Sequence, residues 1–344
     1  MLIIGCDFHS GFQQIAIFDN QTGEMEQKKL LHPAQAAEFY RGQAEPVWVG
    51  MESGAPCQWF RRLLEECGHL LWVGDAAKIR AAEVRKQKTD RRDAELILTL
   101  MRQERFPRIW LPSEEERDVR QLLMDRHHRM RMRTQVKNQL QSLALNQGLQ
   151  KGRKLWSEAG RQQLRELPMM AHAARRRDDL LQRVVELDTQ IAGLDGLVRQ
   201  QAEGREDARR LMTHPGVGPQ TALAMVLTLG DVNRFESAKK VASYLGLIPG
   251  EYSSGNKQRL GHISKQGSSL MRFLLVEAGQ TAVRGDEQLR RAYARLAAKK
   301  NRAVAKVMIA RRLAVRLYWM LRNEWTYAEL ARHAGEPGSS CGAQ

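Results

Sequence analysis

Cysteines and long hydrophobic runs are both scarce in this sequence, and their scarcity excludes several classes of protein. The four cysteines are Cys6, Cys57, Cys67 and Cys341. None of them forms a C-x-x-C pair, which predicts reduced cytosolic thiols and argues against a disulfide framework or a zinc site. No uncharged apolar run approaches the roughly 18–20 residues that span a bilayer. The chain reaches Asp7 without a basic segment, so we expect no signal peptide.

Acidic residues are also scarce compared with basic residues. The 344 residues include 55 Lys and Arg against 39 Asp and Glu, a formal net charge of +16, and 42% are hydrophobic. This length predicts two or three domains, and the apolar content excludes a disordered basic tail. Residues 1–75 hold five basic and ten acidic residues and carry −5, which leaves +21 for the remainder. The basic part favours a nucleic-acid partner over simple solvation, and the acidic segment favours a cation-binding pocket.

Apolar runs and turn signals in the first 75 residues predict a mixed α/β sheet. Strands are expected over 2–8, 12–18, 24–31, 46–51 and 70–73, with helices over 33–41 and about 55–67. Three strands followed by alternating helices and strands are typical of a ribonuclease-H-like sheet, in which a hairpin ribbon precedes β-α-β units.

Beyond residue 75 the pattern is almost wholly helical. Ser113 and Glu116 form a capping box for a helix that is predicted to run to about residue 147. A second long helix is expected over 172–202. Its apolar residues follow heptad spacing: Leu180, Val184, Leu187, Ile191, Leu194 and Val198. These six residues form an apolar seam along one side of the helix. Such a seam indicates that the helix is one arm of an intermolecular coiled coil, which we favour, or that it packs on the 113–147 helix of the same chain.

Composition shifts suggest where the domains begin and end. A Pro-Gly-Val-Gly-Pro turn lies between two predicted helices near residue 215, a loop-rich stretch follows, and the chain then becomes helical and basic. We therefore predict an amino-terminal domain over 1–110, a helical connector over 111–204, a third domain over 205–332 and a flexible tail over 333–344.

Four carboxylates occupy positions that suit metal-dependent phosphodiester chemistry. They are Asp7, Glu52, Asp90 and Asp93. Asp7 and Glu52 end the first and fourth predicted strands, which are neighbours in a ribonuclease-H-like sheet, and a helix opening at Asp90 would carry Asp93 one turn on. Clustered acids repel unless cations neutralise them, and Mg²⁺ prefers oxygen ligands, so we predict a Mg²⁺ site. Two such ions could activate an attacking hydroxyl and stabilise a leaving oxygen. Taken singly, each acid is also compatible with an exposed loop, an N-cap or a first helical turn.

Residues 245–275 combine serines and glycines with a group of cations. The cations are Lys257, Arg259, Lys265 and Arg272. A serine hydroxyl on such a loop can attack a phosphodiester, and the cations would bind the phosphate and stabilise its extra charge. The same composition suits a turn that only hydrogen-bonds a DNA backbone.

Together these motifs resemble the DEDD transposases of the insertion sequence 110 family, relatives of the Piv and MooV DNA invertases. The resemblance covers about residues 1–330. It is carried by the four acids and, downstream, by Gly246-Leu247-x-Pro249, Ser254-Gly255, Gly261-x-Ile263-x-Lys265-x-Gly267 and Arg272. It implies a RuvC-like amino-terminal domain, a mainly α coiled-coil connector and a mainly α carboxy-terminal transposase domain.

The resemblance also implies a chemistry and a set of partners. The four acids would bind Mg²⁺ or Mn²⁺, and the family's nucleophilic serine, which precedes a glycine, maps to Ser254, with Ser253 as the neighbouring alternative. A structured non-coding guide RNA, the DNA of the element ends and target, and further copies of the chain in a dimer or tetramer are the implied partners. A cytoplasmic, bacterial location at the nucleoid follows, with no membrane contact.

The turn at Pro215 looks like the hairpin of a helix-hairpin-helix motif. The backbone N–H groups of Gly216 and Gly218 would then approach a nucleic-acid phosphate. The alternative is a tight connection between helices, where glycine is favoured in any case.

We therefore expect a site-specific DNA recombinase in which Ser254 forms a covalent link with DNA. The alternative is a metal-dependent, RuvC-like Holliday-junction nuclease, in which water attacks and no covalent serine intermediate forms. A third possibility is a non-enzymatic, basic nucleic-acid-binding protein with a degenerate nuclease fold. The presence of all four acids in order argues against that last possibility.

Overall fold

The computed structural model describes residues 1–54, 57–83, 89–150, 152–251 and 259–333. It divides the chain into two compact units, Met1–Leu111 and Pro112–Gln344. The further division of the second unit into a connector and a third domain stays a prediction, and the expected tail lies outside the described residues apart from His333. Within the described part of the chain, Cys6, Cys57 and Cys67 form no disulfide, and Cys341 lies outside the described residues.

A five-stranded mixed sheet forms the centre of the first unit. Its strands are β1 (Leu2–Phe8), β2 (Phe12–Asp19), β3 (Met25–Leu31), β4 (Trp48–Glu52) and β5 (Leu70–Gly74). They lie in the order β3-β2-β1-β4-β5. β1 pairs antiparallel with β2 and parallel with β4, which itself pairs parallel with β5. The five strands predicted from sequence are thus confirmed, with ends that differ by at most two residues.

Different helices cover the two faces of this sheet. The helices are α1 (Ala34–Arg41), α2 (Gln58–Glu66), α3 (Ala76–Ala81) and α4 (Asp90–Arg102). Side chains alternate along a strand, so Ile4, Cys6 and Phe8 of β1 pack with α1 and α2. Ile3, on the opposite face, packs with α4. Asp7 follows the same alternation and therefore shares the face that α4 covers.

The second unit is almost wholly helical. It contains α5 (Glu114–Asn146), α6 (Glu158–Glu166), α7 (Ala171–Glu203), α8 (Glu206–Met212), α9 (Pro219–Leu229), α10 (Ala238–Tyr244), β6 (Pro249–Glu251), β7 (Leu260–Ile263), α11 (Ser269–Gly285), α12 (Glu287–Lys299), α13 (Arg302–Arg322) and α14 (Tyr327–His333), with short 3-10 helices over Gly152–Trp156 and Val232–Arg234. β6 and β7 form a small antiparallel ribbon. The predicted capping box is confirmed, since Ser113 N donates to Glu116 Oε2 at 2.8 Å and Ser113 Oγ accepts from Glu116 N at 3.1 Å.

The two longest helices, α5 and α7, pack on each other within the chain. They run antiparallel, because Arg126 of α5 pairs with Asp195 of α7 and Arg133 pairs with Asp188 at 2.7 Å. The α7 heptad positions are largely buried. Of the two arrangements that the sequence left open, the structure therefore contains the packing within one chain, and a role of this seam in dimerisation stays a prediction.

The main core of the second unit is formed by apolar side chains from both long helices, from α8 and from most of the helices that follow it. It includes Val119 of α5, Val198 of α7, Leu223 of α9, Leu275 of α11 and Leu317 of α13. Among the described residues, no helix combines the length and the apolar character that a membrane crossing requires.

Candidate functional site

The sheet register brings Asp7 and Glu52 side by side. Cys6 of β1 pairs with Met51 of β4 in parallel register, so the residue that follows each of them lies at the same edge of the sheet. Asp7 is buried, with 8% of its surface exposed. Asp7 and Glu52 both line one small pocket at this edge.

Helix α4 supplies the other two predicted acids. Thr89 caps it, with Thr89 Oγ1 accepting from Arg92 N at 3.4 Å, and this cap places Asp90 and Asp93 in the first turn. Asp93 lines the same pocket as Asp7 and Glu52, and a carboxylate oxygen of Asp90 lies near Asp7 within one group of ligand atoms. The structure therefore brings all four predicted acids together around Asp7.

Two glycines allow α4 to lie this close to the sheet. Gly5 and Gly50 are paired neighbours on β1 and β4. A Cβ atom at Gly5 would lie 2.2 Å from the carbonyl oxygen of Ala94, and one at Gly50 would lie 2.2 Å from Met101 Sδ. Such contacts are too short for real Cβ atoms. A side chain at Gly5 would push the backbone of α4 away from the sheet edge, and one at Gly50 would displace the Met101 side chain.

His9 belongs to the same cluster, although the sequence reasoning did not single it out. Its Nε2 atom lies 3.1 Å from Asp7 Oδ2 and 3.6 Å from Asp90 Oδ2. One ligand atom from each of these three side chains lies within 4.8 Å of the other two. The sequence contains a pattern that indicates this position of His9, the spacing Asp-x-His at the end of β1. Residues two apart on an extended segment point to the same side.

Burial and charge both act on the Asp7 carboxyl. Removal from water raises the pKa of Asp7 above its usual value, and the neighbouring carboxylates of Asp93 and Asp90 raise it further. His9 acts in the opposite direction and lowers the pKa of Asp7. The cluster therefore holds several carboxylates in a place where their charges are costly without a compensating cation.

The donor set of this cluster suits a divalent cation. Carboxylate oxygens are the ligands that Mg²⁺ and Mn²⁺ favour, and an imidazole nitrogen is a further donor for transition-metal ions. A bound dication would offset the repulsion among the acids and the burial of Asp7. The residues therefore fit the metal that the resemblance implies.

Comparison with known proteins agrees with this geometry. Residues 4–147 match the sequence model of the DEDD transposases of the IS110 type. Residues 208–294 match the model described as Transposase IS116/IS110/IS902 family. The chain belongs to this family of transposases. The resemblance and the enzyme class inferred from sequence, a DNA transposase, are both confirmed.

Several curated relatives carry names of the same kind. A probable family 20 transposase of Pseudomonas aeruginosa is 29% identical over 75% of this chain and 77% of its own length. The transposase of insertion element IS1111A from Coxiella burnetii is 29% identical over 58% of this chain and 56% of its own length. That of IS1328 from Yersinia enterocolitica is 28% identical over 68% and 70%. The chain thus aligns with a little over half to about three quarters of each of these transposases.

Two of the predicted phosphate-site residues of this transposase lie outside the part that the structure describes. They are Ser254 and Lys257, and the alternative nucleophile Ser253 lies there too. Arg259 follows directly and is exposed. The ribbon of β6 and β7 flanks this segment on both sides. The nucleophilic serine and the cations around it stay predictions.

Arg272 supports the loop that follows β7. Its guanidinium Nη1 donates to the carbonyl oxygens of Leu245 and Gly267, each at 3.3 Å, and also to that of Gln266. Lys265, in the same loop, is exposed. Arg272 therefore has a structural task in the transposase fold, and phosphate binding by Arg272 and Lys265 stays a prediction.

The predicted hairpin turn between α8 and α9 contains two glycines with different surroundings. Gly216 has a φ of +83°, and a Cβ atom there would lie 2.4 Å from the backbone nitrogen of Ala282. Gly218 is exposed at the start of α9 and has open space around it. Close packing on α11 thus explains Gly216, while contact of either glycine with a phosphate stays a prediction.

A groove of about 640 Å³ runs along one side of α5 and ends at α11. It is lined by Arg126, His127, Met130, Arg131, Thr134, Gln135, Asn138, Gln139, Ser142 and Phe273. Phe273 is 49% exposed, and its ring lies 5.2 Å from that of His127. The groove therefore combines cations and amide groups with an accessible aromatic face.

Proposed function

We propose that this transposase cleaves and exchanges DNA strands for an insertion sequence, using Mg²⁺ or Mn²⁺ held by Asp7, Glu52, Asp90 and Asp93. The observation that carries the proposal is the convergence of these four acids at one edge of the sheet. A bound divalent ion would polarise the scissile phosphodiester and stabilise the charge that develops on it. The strand order and pairing of the sheet support a RuvC-like, ribonuclease-H-like domain for this chemistry.

In this proposal the attacking atom is the hydroxyl oxygen of Ser254. It forms a bond to phosphorus, the bond from phosphorus to the departing nucleoside oxygen breaks, and the serine proton passes to that oxygen. The reverse step, attack by a hydroxyl of another strand on the serine phosphoester, would restore Ser254 and complete the exchange. Arg259 and Lys265 both follow Ser254 in the sequence and would attract the phosphate.

The decisive experiment is to trap the covalent protein–DNA adduct on denaturing gels with DNA of the element ends. We expect the wild-type protein to form the adduct, and Ser254→Ala and Asp7→Ala each to abolish both adduct and strand exchange. Ser253→Ala is the matched control and should retain both. Strand cleavage by Ser254→Ala without any adduct would instead support hydrolysis by a metal-activated water, as in a Holliday-junction nuclease.

We further propose that the α5 groove binds a single-stranded part of a structured guide RNA. The supporting observations are the exposed ring of Phe273 and the exposed cation Arg131 in the lining. Bases of unpaired strands stack on exposed aromatic rings, and phosphates pair with cations, so a groove with both features suits such a strand.

Substitution in the groove tests this RNA proposal. Stacking on an aromatic ring contributes about 1–3 kcal/mol per base, so Phe273→Ala should weaken binding of the element's non-coding RNA by about 5- to 150-fold. Leu197→Ala, which alters an equally exposed apolar side chain on α7, should leave it unchanged. Equal affinities of wild type and Phe273→Ala for this RNA would contradict the assignment of the groove.

The proposed active form is a dimer or tetramer whose sites combine the acids of one copy with the serine of another. Mixing two inactive variants tests this arrangement. A mixed oligomer of Asp7→Ala and Ser254→Ala should regain strand exchange, because one composite site would contain only wild-type residues. Lack of any recovery in a mixed oligomer shown to form would contradict a composite site.

A further inference from the structure

His9 lies between two of the four acids at the sheet edge. Its Nε2 atom is 3.1 Å from Asp7 Oδ2 and 3.6 Å from Asp90 Oδ2. Neighbouring ligands of an octahedral ion with bonds of about 2.1 Å lie about 3.0 Å apart. The separation between His9 and Asp7 matches this spacing, that between His9 and Asp90 is about 0.6 Å longer, and all three ligand atoms lie within 4.8 Å of one another. Small side-chain shifts would therefore bring them into one coordination shell.

The turn between β1 and β2 fixes the position of this imidazole. His9 N donates to the carbonyl oxygen of Phe12 at 2.9 Å, which closes the hairpin. The His9 ring also stacks on the ring of Phe12, with 4.5 Å between their centres. The side chain keeps an exposed fraction of 38%, so an ion can reach it from solvent.

We propose that His9 Nε2 is a direct ligand of the metal ion that Asp7 and Asp90 hold, so that this site prefers Mn²⁺ to Mg²⁺. The inference rests on the proposed metal centre and adds a nitrogen donor to the four carboxylates. Mg²⁺ is a hard ion that takes oxygen ligands and keeps bound water, whereas transition-metal ions accept imidazole readily. One nitrogen ligand therefore shifts the relative affinity toward Mn²⁺.

The competing role for His9 is that of a positioning residue. In that role Nε2–H donates to the Asp7 carboxylate and orients it, while the ion touches oxygen atoms alone. Removing a positioning histidine weakens the binding of both ions together. Removing a nitrogen ligand weakens Mn²⁺ binding selectively, so the two roles differ in a measurable way.

The test uses the full chain, freed of nucleic acid, with Mn²⁺ and Mg²⁺ as separate probes at one fixed pH. Loss of even an outer-shell partner typically costs about 10–100-fold in metal affinity. Loss of a direct nitrogen ligand in His9→Gln should therefore raise the Kd for Mn²⁺ at least about tenfold and change that for Mg²⁺ much less. Electron spin-echo spectroscopy of bound Mn²⁺ should detect the coupling of a directly bound nitrogen in the wild type and lose it in His9→Gln. His172→Gln, at an exposed position on α7, is the matched control and should keep it.

Two results would overturn the assignment of His9. One is bound Mn²⁺ without nitrogen coupling in the wild type, and the other is an equal loss of Mg²⁺ and Mn²⁺ affinity in a folded His9→Gln variant. The variant Asp7→Asn distinguishes a wrong role for His9 from a wrong assignment of the metal centre. If Asp7→Asn still binds both ions with wild-type affinity, the metal centre is wrong; if it loses them while His9→Gln binds normally, the role of His9 alone is wrong.

Discussion

At the scale of single residues, the arrangement of the four acids depends on two positions that have no side chain. Gly5 and Gly50 lie two residues before Asp7 and Glu52, on the same face of β1 and β4. The absence of a side chain at each glycine leaves room for α4, and α4 brings the remaining acids to the ends of the strands. Each strand therefore contributes a glycine that admits α4 and, two residues later, an acid of the candidate site.

The first prediction concerns Gly5, whose closest contact is with the backbone of α4. Gly5→Ala should destabilise the protein by about 1–3 kcal/mol, as overpacking of a core does, and should weaken Mn²⁺ binding by displacing α4. Gly50→Ala should cost less, because a Met101 side chain can move whereas the backbone of Ala94 cannot. Denaturant unfolding and Mn²⁺ titration measure both effects.

Gly11→Ala provides the control for this pair. A Cβ atom at Gly11 meets nothing within 4 Å, so we expect stability and metal affinity close to those of the wild type. The explanation by close packing is wrong if Gly5→Ala behaves like Gly11→Ala in both measurements.

A second residue-scale prediction concerns a buried histidine before α9. Burial lowers the pKa of His214 to about 4, while its Nδ1 donates to the carbonyl oxygen of Pro215 at 2.8 Å. His214 takes up a proton at a higher pH in the unfolded state than in the folded state. It therefore lowers the free energy of unfolding as the pH falls from about 6.5 toward 4, by about 3 kcal/mol in total. Above pH 6.5 the effect is absent.

The measurement is the free energy of unfolding at pH 7 and pH 4.5 for wild type and His214→Gln. We expect the loss on acidification to be smaller in His214→Gln, whatever its stability at pH 7. The exposed His172 gives the control, since His172→Gln should keep the wild-type loss. An identical loss in His214→Gln would contradict a buried, neutral imidazole.

At the scale of elements, the pair of α5 and α7 explains the heptad seam of α7. The seam residues Val184, Leu187 and Ile191 are buried within the chain, and ion pairs such as Arg133 with Asp188 connect the two helices at its edges. Heptad spacing correctly predicts that α7 packs on another helix. It does not distinguish a helix of the same chain from a helix of another copy.

Truncation of this seam should therefore destabilise the isolated chain. Leu187→Ala removes a fully buried side chain and should cost about 2–5 kcal/mol. Leu197→Ala, at a half-exposed position of the same helix, should cost much less. Unfolding at two protein concentrations is the measurement, and the cost should be the same at both. A cost that depends on concentration would instead indicate that the seam lies between copies.

At the scale of the whole molecule, the charge is divided unevenly between acidic and basic parts. Residues 1–75 carry −5 and include Asp7 and Glu52, whereas the remainder carries +21. The acids serve cation binding in the proposal above, and the basic excess serves polyanion binding. The two kinds of binding should consequently respond differently to salt.

Raising the salt concentration from 50 to 200 mM should weaken nucleic-acid binding steeply, by about 10³-fold if the chain neutralises some six phosphates. Mn²⁺ affinity should fall far less, because the buried Asp7 is screened weakly. Binding assays with Asp7→Asn should give an unchanged salt slope for nucleic acid. A salt slope near zero for the wild type would contradict the role assigned to the basic excess.

Local patterns were sufficient for much of the fold. The five strands, the capping box at Ser113 and the long helices could be predicted because alternation, heptad spacing and helix caps act between residues a few positions apart. The order of the elements also indicated which strand ends would meet, and thus which acids would converge.

The sequence by itself determined the transposase family, the spans of the five sheet strands and of the two longest helices, and the four acids of the candidate site. Only the tertiary structure decided that His9 lies between Asp7 and Asp90, that Gly5 and Gly50 admit α4, and that the α7 seam packs on α5. The physical reason is the same in each case: these are contacts between residues on different elements, and their distances follow from strand register and helix packing.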